Sequence, residues 1–168
     1  MDKKVYFAGA IRGDRSLAET IISLIRYIKE DLGCLVLTEH VGSERPVEKF
    51  AKKIGKSMEE LLAEDIESQD IYWLDQCSRV IAEISGASTG TGREIEYART
   101  KGYFGKIPAE VLCIYRLDRE YFASPMIRGM RRDRYPNVSV RSYRDLVEAK
   151  QIVRDFLEIW YYFLKIIF

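Results

Sequence analysis

The sequence predicts an α/β fold, a three-layer sandwich with helices on both faces of a parallel sheet of roughly five strands. Three observations predict it. Short apolar runs rich in Val, Ile and Tyr recur along the chain, helix-like apolar spacing separates them, and glycine-rich joints stand where strands hand over to helices. Such alternation gives a Rossmann-like, flavodoxin-like layout, in which ligands bind outside the carboxyl ends of the strands.

The strands are read in order at VYFAGA, CLVLTEH, RVIAEIS, EVLCIYR and, more weakly patterned, NVSVRSY. Between the first two, Leu17, Ile21, Leu24, Ile25, Ile28 and Leu32 recur at helical spacing and Gly33 supplies the stop. A second helix is expected over 57–76, a third over 92–101 and a fourth from Tyr143 to about Phe163. No repeat, linker or low-complexity segment interrupts the pattern, so residues 1–168 read as one domain.

Composition narrows the function classes. Lys plus Arg (27) nearly balances Asp plus Glu (26), which leaves no global field for nucleic acid or an anionic membrane. Any phosphate site must be local. Cys34, Cys77 and Cys113 are widely spaced, with no CxxC pair, which argues against disulfides or a zinc site and for reduced thiols. The start, MDKKVYFAGA, runs into a strand without an apolar signal core, and the apolar ending IWYYFLKIIF is far short of a spanning helix. A cytoplasmic protein is the expectation.

Two joints suggest an anion site. In YFAGAIRG, Gly9 and Gly13 bracket Arg12, whose guanidinium can fork onto a phosphate; the same residues also make an ordinary turn with a solvated arginine. After the third strand, Ser88, Thr89, Gly90, Thr91 and Gly92 lead into a helix whose unpaired amides favour an anion. Gly55-Lys56-Ser57 imitates the end of a Walker A loop, but Phe50 stands where that loop needs glycine and no strand precedes it.

Two acids occupy unusual places. Ile66, Asp70, Trp73 and Leu74 share one helix face, so Asp70 sits within an apolar stripe, where burial would raise its pKa toward the range of a general acid or base. A capped or salt-bridged aspartate at the stripe's edge fits the same pattern. Glu94 follows the glycine joint, where an acid also complements the helix dipole. Two carboxylates beside an anion site suggest glycosyl chemistry.

VYFAGAIRG, VLTEHVG, the DxxWL of Asp70 to Leu74, AE followed by SxGxGxE ending at Glu94, and SPMIRG together resemble the 2′-deoxynucleoside 5′-monophosphate N-glycosidases (N-hydrolases) of the nucleoside deoxyribosyltransferase-like superfamily. The blocks run in order from about Lys4 to Gly129; residues 44 to 65 and the tail match poorly. The resemblance implies Glu94 as nucleophile, Asp70 as the acid assisting base departure and Tyr6 beside them. It implies Gly9, Ile11, Arg12, Ser88, Gly90, Ser124 and Met126 along the sugar and phosphate sites, and His40 near the nucleobase, although a histidine satisfied at a strand end fits as well. Ala10 stands where these enzymes commonly carry serine, and Arg93 replaces an aromatic residue. A nucleotide substrate, no metal or other cofactor, and a homodimer in which Ser124 completes the neighbouring subunit's site are further implications. The apolar residues Tyr161, Tyr162, Phe163, Ile166, Ile167 and Phe168 independently suggest surface that needs a partner, although a last helix folded back fully on its own sheet fits the same residues. The alternatives are a nucleoside 2-deoxyribosyltransferase and a non-catalytic nucleotide-binding domain, the second needing neither acid. A cytokinin-activating type of phosphoribohydrolase lacks support, because its PGG is absent.

Overall fold

The computed structural model describes residues 4–167, with side chains through residue 158. The five expected strands are β1 (Lys4–Ala8), β2 (Leu35–Val36), β3 (Arg79–Glu83), β4 (Glu110–Arg116) and β5 (Val138–Tyr143). They form one all-parallel sheet in the order β2-β1-β3-β4-β5. The register pairs Ala8 with Ala82 and Ala82 with Cys113, so the three central strands end nearly level. Their side chains are apolar on both sides because helices cover both faces.

The helix after β1, α1 (Ala18–Glu30), buries Ile21, Leu24, Ile25 and Ile28, and Gly33 takes the left-handed conformation (φ 62°) that turns the chain toward β2. β2 is shorter than CLVLTEH suggested. The Thr38 hydroxyl accepts from the Phe7 amide (2.8 Å) and donates to the Phe7 carbonyl (2.7 Å), replacing the next ladder bonds and releasing the chain into a 3-10 turn at Glu39–Gly42. An unexpected helix, α2 (Pro46–Lys53), opens on Pro46 and buries Phe50 and Ala51.

The helix expected over 57–76 is confined to α3 (Ala63–Asp75). Ser57 and Glu60 bond each other's amides in a separate turn, and the Asp65 carboxylate accepts from the Leu62 amide (2.9 Å) to start the helix proper. Next, α4 (Thr89–Thr100) begins three residues earlier than expected, because Ser88 caps it by accepting from the Thr91 amide (3.2 Å). A single turn, α5 (Pro125–Arg128), follows β4, and α6 (Leu146–Ile167) starts later than expected because Tyr143 belongs to β5.

Two apolar clusters fill the layers. Ile21, Leu24 and Ile28 of α1 join Ala149, Val153 and Leu157 of α6 on one face, while Phe50, Trp73, Leu74, Ile95 and Ala98 of α2, α3 and α4 cover the other. Cys34, Cys77 and Cys113 are buried and form no disulfide. Among the described residues no helix is long and apolar enough to cross a membrane.

Candidate active site

The sheet order places β1 beside β3, with α1 leaving to one face and α4 belonging to the other. The strand order reverses there, and a crevice opens beyond the carboxyl ends of the two strands. The two connecting segments press together in it. A Cβ on Gly13 would lie 2.5 Å from the Ala87 carbonyl oxygen, and one on Gly86 would lie 2.8 Å from that of Asp14. Only glycine allows both backbones so close.

A cleft of about 380 Å³ opens between α3 and α4 and is lined by Arg12, Asp70, Gly90 and Glu94 together with apolar groups including Leu61, Ile66 and Leu74. Asp70 reaches it from α3, because Ile66 and Leu74 one turn to either side face the same way. Trp73 faces the core instead, against Phe50 and His40. Glu94 reaches the cleft from the second turn of α4. The Tyr6 hydroxyl, fully buried on β1, donates to Glu94 Oε1 at 2.6 Å and also interacts with Asp70.

Electrostatics set this trio apart from surface acids. Burial pushes the Asp70 carboxyl up to about 7, helped by the nearby Glu94 charge and opposed by the Tyr6 hydroxyl. Burial also raises Glu94, against the Tyr6 hydrogen bond and the Arg93 charge. Tyr6 is raised too, by burial and then by the two carboxylates, so it remains a hydrogen-bond donor. The cleft therefore holds a carboxyl that exchanges its proton near neutrality beside a second carboxyl, 24 residues away in sequence, a gap set by the strand between their helices.

At the other side of the cleft, Arg12 is exposed and makes no ion pair or hydrogen bond among the described residues, unlike Arg15, which donates to the Ser43 carbonyl. The Ser88 hydroxyl oxygen accepts from the Thr91 amide and hydroxyl, which leaves its own proton to donate. The amides of Thr89 and Gly90 precede any intrahelical acceptor and are left to a ligand or solvent. A Cβ on Gly90 would meet nothing nearer than Ser88 Oγ at 3.9 Å, and one on Gly92 nothing within 4 Å, so neither glycine is required by packing. The glycines thus lie inside the first turn of α4, where the sequence suggested a loop before it.

Other expected residues sit elsewhere. Gly9 is buried and packs under Ile21 and Val41, where a Cβ would crowd Ile21 at 3.1 Å; Ile11 packs beside the α1 face of the core. His40 is buried between the Phe50 and Trp73 rings with Nδ1 unpartnered, and burial plus Lys53 and Lys49 lower it to about 4, so the ring is neutral. Ser124, just before α5, and Met126, on it, stand exposed and do not line the cleft. The side chains of Tyr161, Tyr162, Phe163, Ile166, Ile167 and Phe168 lie outside the described residues. The Walker-like Lys56 is engaged by Asp65, beside Gly55 at the end of α2.

Glu67 lines the cleft one turn before Asp70 and pairs with Arg93; a second acid three positions from Asp70 is the sequence feature that marks it. Among the described residues, no group of three or more His, Cys, Asp or Glu side chains is placed to hold a metal ion.

No protein-family model matches the chain. It is 33% identical over 156 residues to the 5-hydroxymethyl-dUMP N-hydrolase of Tetraodon nigroviridis, covering 91% of this chain and 96% of that protein. It is 32% identical over 157 residues to a Methanosarcina mazei protein provisionally named 2′-deoxynucleoside 5′-phosphate N-hydrolase 1, covering 92% and 84% respectively. The solved structure of a CMP N-glycosidase from Clostridium botulinum shares the fold, with a TM-score of 0.58 at 19% identity over 89% of this chain and 96% of that one.

Proposed function

The chain belongs to the nucleotide N-hydrolase family of these relatives, and on that premise we propose how it cleaves the N-glycosidic bond of a nucleotide. The substrate is a (deoxy)nucleoside 5′-monophosphate and the products are free base and (deoxy)ribose 5-phosphate. One observation carries the reading: two half-buried carboxyls share a cleft with Tyr6 donating to one of them, and an unpaired arginine and a free helix start lie beside them.

Asp70, protonated, donates to the departing base as the C1′–N bond breaks. Glu94, ionised, attacks C1′ through the oxygen that Tyr6 leaves free and forms a glycosyl ester. Water then attacks C1′, giving up a proton to the Asp70 carboxylate, and releases Glu94 and the sugar phosphate. The sum is addition of one water across the bond. Arg12 and the amides of Thr89 and Gly90 hold the 5′-phosphate, the only strongly anionic part of the substrate. The base lies on the aliphatic wall of Leu61 and Ile66. Ser124 and Met126, exposed and outside the cleft, fit a homodimer in which α5 of one chain reaches the partner's site.

The test is a panel of monophosphates and nucleosides with and without an acceptor base. Free base appears from monophosphates without an acceptor, and nucleosides lose kcat as well as affinity, because phosphate binding positions C1′. Base release that requires an acceptor base would identify a transferase instead. Methanol trapping gives a glycoside with the substrate's anomeric configuration; an inverted product excludes the double displacement.

A further inference from the structure

The Arg93–Glu67 ion pair bridges α4 and α3 within the cleft. Arg93 directly precedes Glu94 in the chain, and Glu67 stands one turn before Asp70. The pair therefore lays a positive charge on the Glu94 side and a negative charge on the Asp70 side. Of the other groups facing the carboxyls, Tyr6, from β1, donates its one hydroxyl proton to Glu94 Oε1 and so works in the same direction as the pair, while Arg12, from the segment after β1, lines the same cleft. Two neighbouring carboxyls of which one must be protonated and the other ionised share, in effect, one proton. The chemistry proceeds only from the arrangement with that proton on Asp70.

We propose that the Arg93–Glu67 ion pair assigns the shared proton, holding it on Asp70 and leaving Glu94 as the anion. The proposal rests on the roles given to Glu94 and Asp70 above. A charge acts most on the group nearest it, so Glu67 disfavours ionised Asp70 while Arg93 favours ionised Glu94. The directions of both carboxyls include these two contributions. Both side chains are about half exposed (59% and 48%), so salt and solvent weaken the field without abolishing it. Arg93 and Glu67 are positioning residues, acting through the carboxyls.

The test is the pH profile of kcat/KM for the monophosphate turned over best, in single and exchanged variants. Arg93→Gln moves both limbs to higher pH and Glu67→Gln moves both to lower pH, each by roughly half a unit and with about a threefold lower plateau. Exchanging the charges, Arg93→Glu with Glu67→Arg, keeps an ion pair between the helices but reverses the field, and lowers the plateau roughly tenfold. All three effects shrink at high salt. If the exchanged pair restores the wild-type plateau and limbs, or if the single variants move neither limb, the pair only ties two helices and the proposal is overturned. Glu94→Gln and Asp70→Asn are measured alongside. Wild-type turnover in either overturns the assigned roles, whereas loss in both with a wild-type exchanged pair overturns the proton assignment alone.

Discussion

Asp70 carries a proton to about 7 in the folded chain, against an ordinary value of 3.8. Between those values the folded state binds a proton that the unfolded state releases, so this residue's contribution to stability falls as pH rises through that window. Asp70→Asn removes the dependence. The variant's melting temperature relative to wild type should therefore increase from about pH 4 to about pH 8. A difference that stays flat across that range would mean that Asp70 is not the raised group. Some slope remains in the variant, because burial also raises Glu94 and Glu83. Turnover moves the opposite way: Asp70→Asn should lose roughly 10²–10⁴-fold, the range for a general acid. A variant more stable at neutral pH and nearly inactive is the signature of strain kept for chemistry.

At the scale of elements, the glycines divide into two kinds. Gly13 and Gly86 let the segments after β1 and β3 interlock, with backbone oxygens in the way of any side chain. Gly90 faces open space at the head of α4. Gly13→Ala should therefore lower stability by about 1–3 kcal/mol, the cost of forcing atoms into a packed site. Gly90→Ala should leave stability unchanged or raised by up to about 1 kcal/mol, as Gly to Ala does in a helix. Its methyl would nevertheless intrude on the proposed anion site and raise KM for monophosphates. Denaturant unfolding and steady-state kinetics on the two variants check the contrast; a destabilised Gly90→Ala with normal KM would place the anion elsewhere. The same element view explains α3 and α4 as a pair. The Lys101 ammonium, buried, donates to the Leu74 and Cys77 carbonyls at the end of α3, and the Tyr97 hydroxyl donates to Asp75 at 2.8 Å. Both carboxyl-bearing helices are thereby fastened at their far ends, while their near ends meet at Arg93 and Glu67.

At the scale of the whole molecule, the proposed dimer makes its own prediction. Tyr121, Phe122 and Met126 expose 91%, 54% and 85% of their surface around Ser124, a cluster of large apolar groups that a second copy would cover. Inactive Glu94→Ala subunits mixed with inactive Ser124→Trp subunits should regain activity on exchange, because one of the two sites in a mixed dimer receives both intact residues. A fully active monomer by light scattering, or no recovery despite proven exchange and inactive parents, would refute the shared site.

The sequence by itself determined the parallel α/β layout, since apolar runs, helical spacing and the stop at Gly33 are local properties that need no partner to be read. It also marked Asp70 as an acid in an apolar stripe and Glu94 as an acid behind a glycine joint. What it could not carry were features fixed by neighbours distant in the chain. β2 ends early because Thr38 bonds Phe7, 31 positions away, whereas the late start of α3 is local, set by Ser57 and Glu60 closing a turn of their own. Arg93 meets Glu67 only because α3 and α4 lie side by side. Local periodicity reports which face of an element is apolar. Which elements meet, and so which two carboxyls share one cleft and one tyrosine, depends on packing across a sheet that joins residues tens of positions apart.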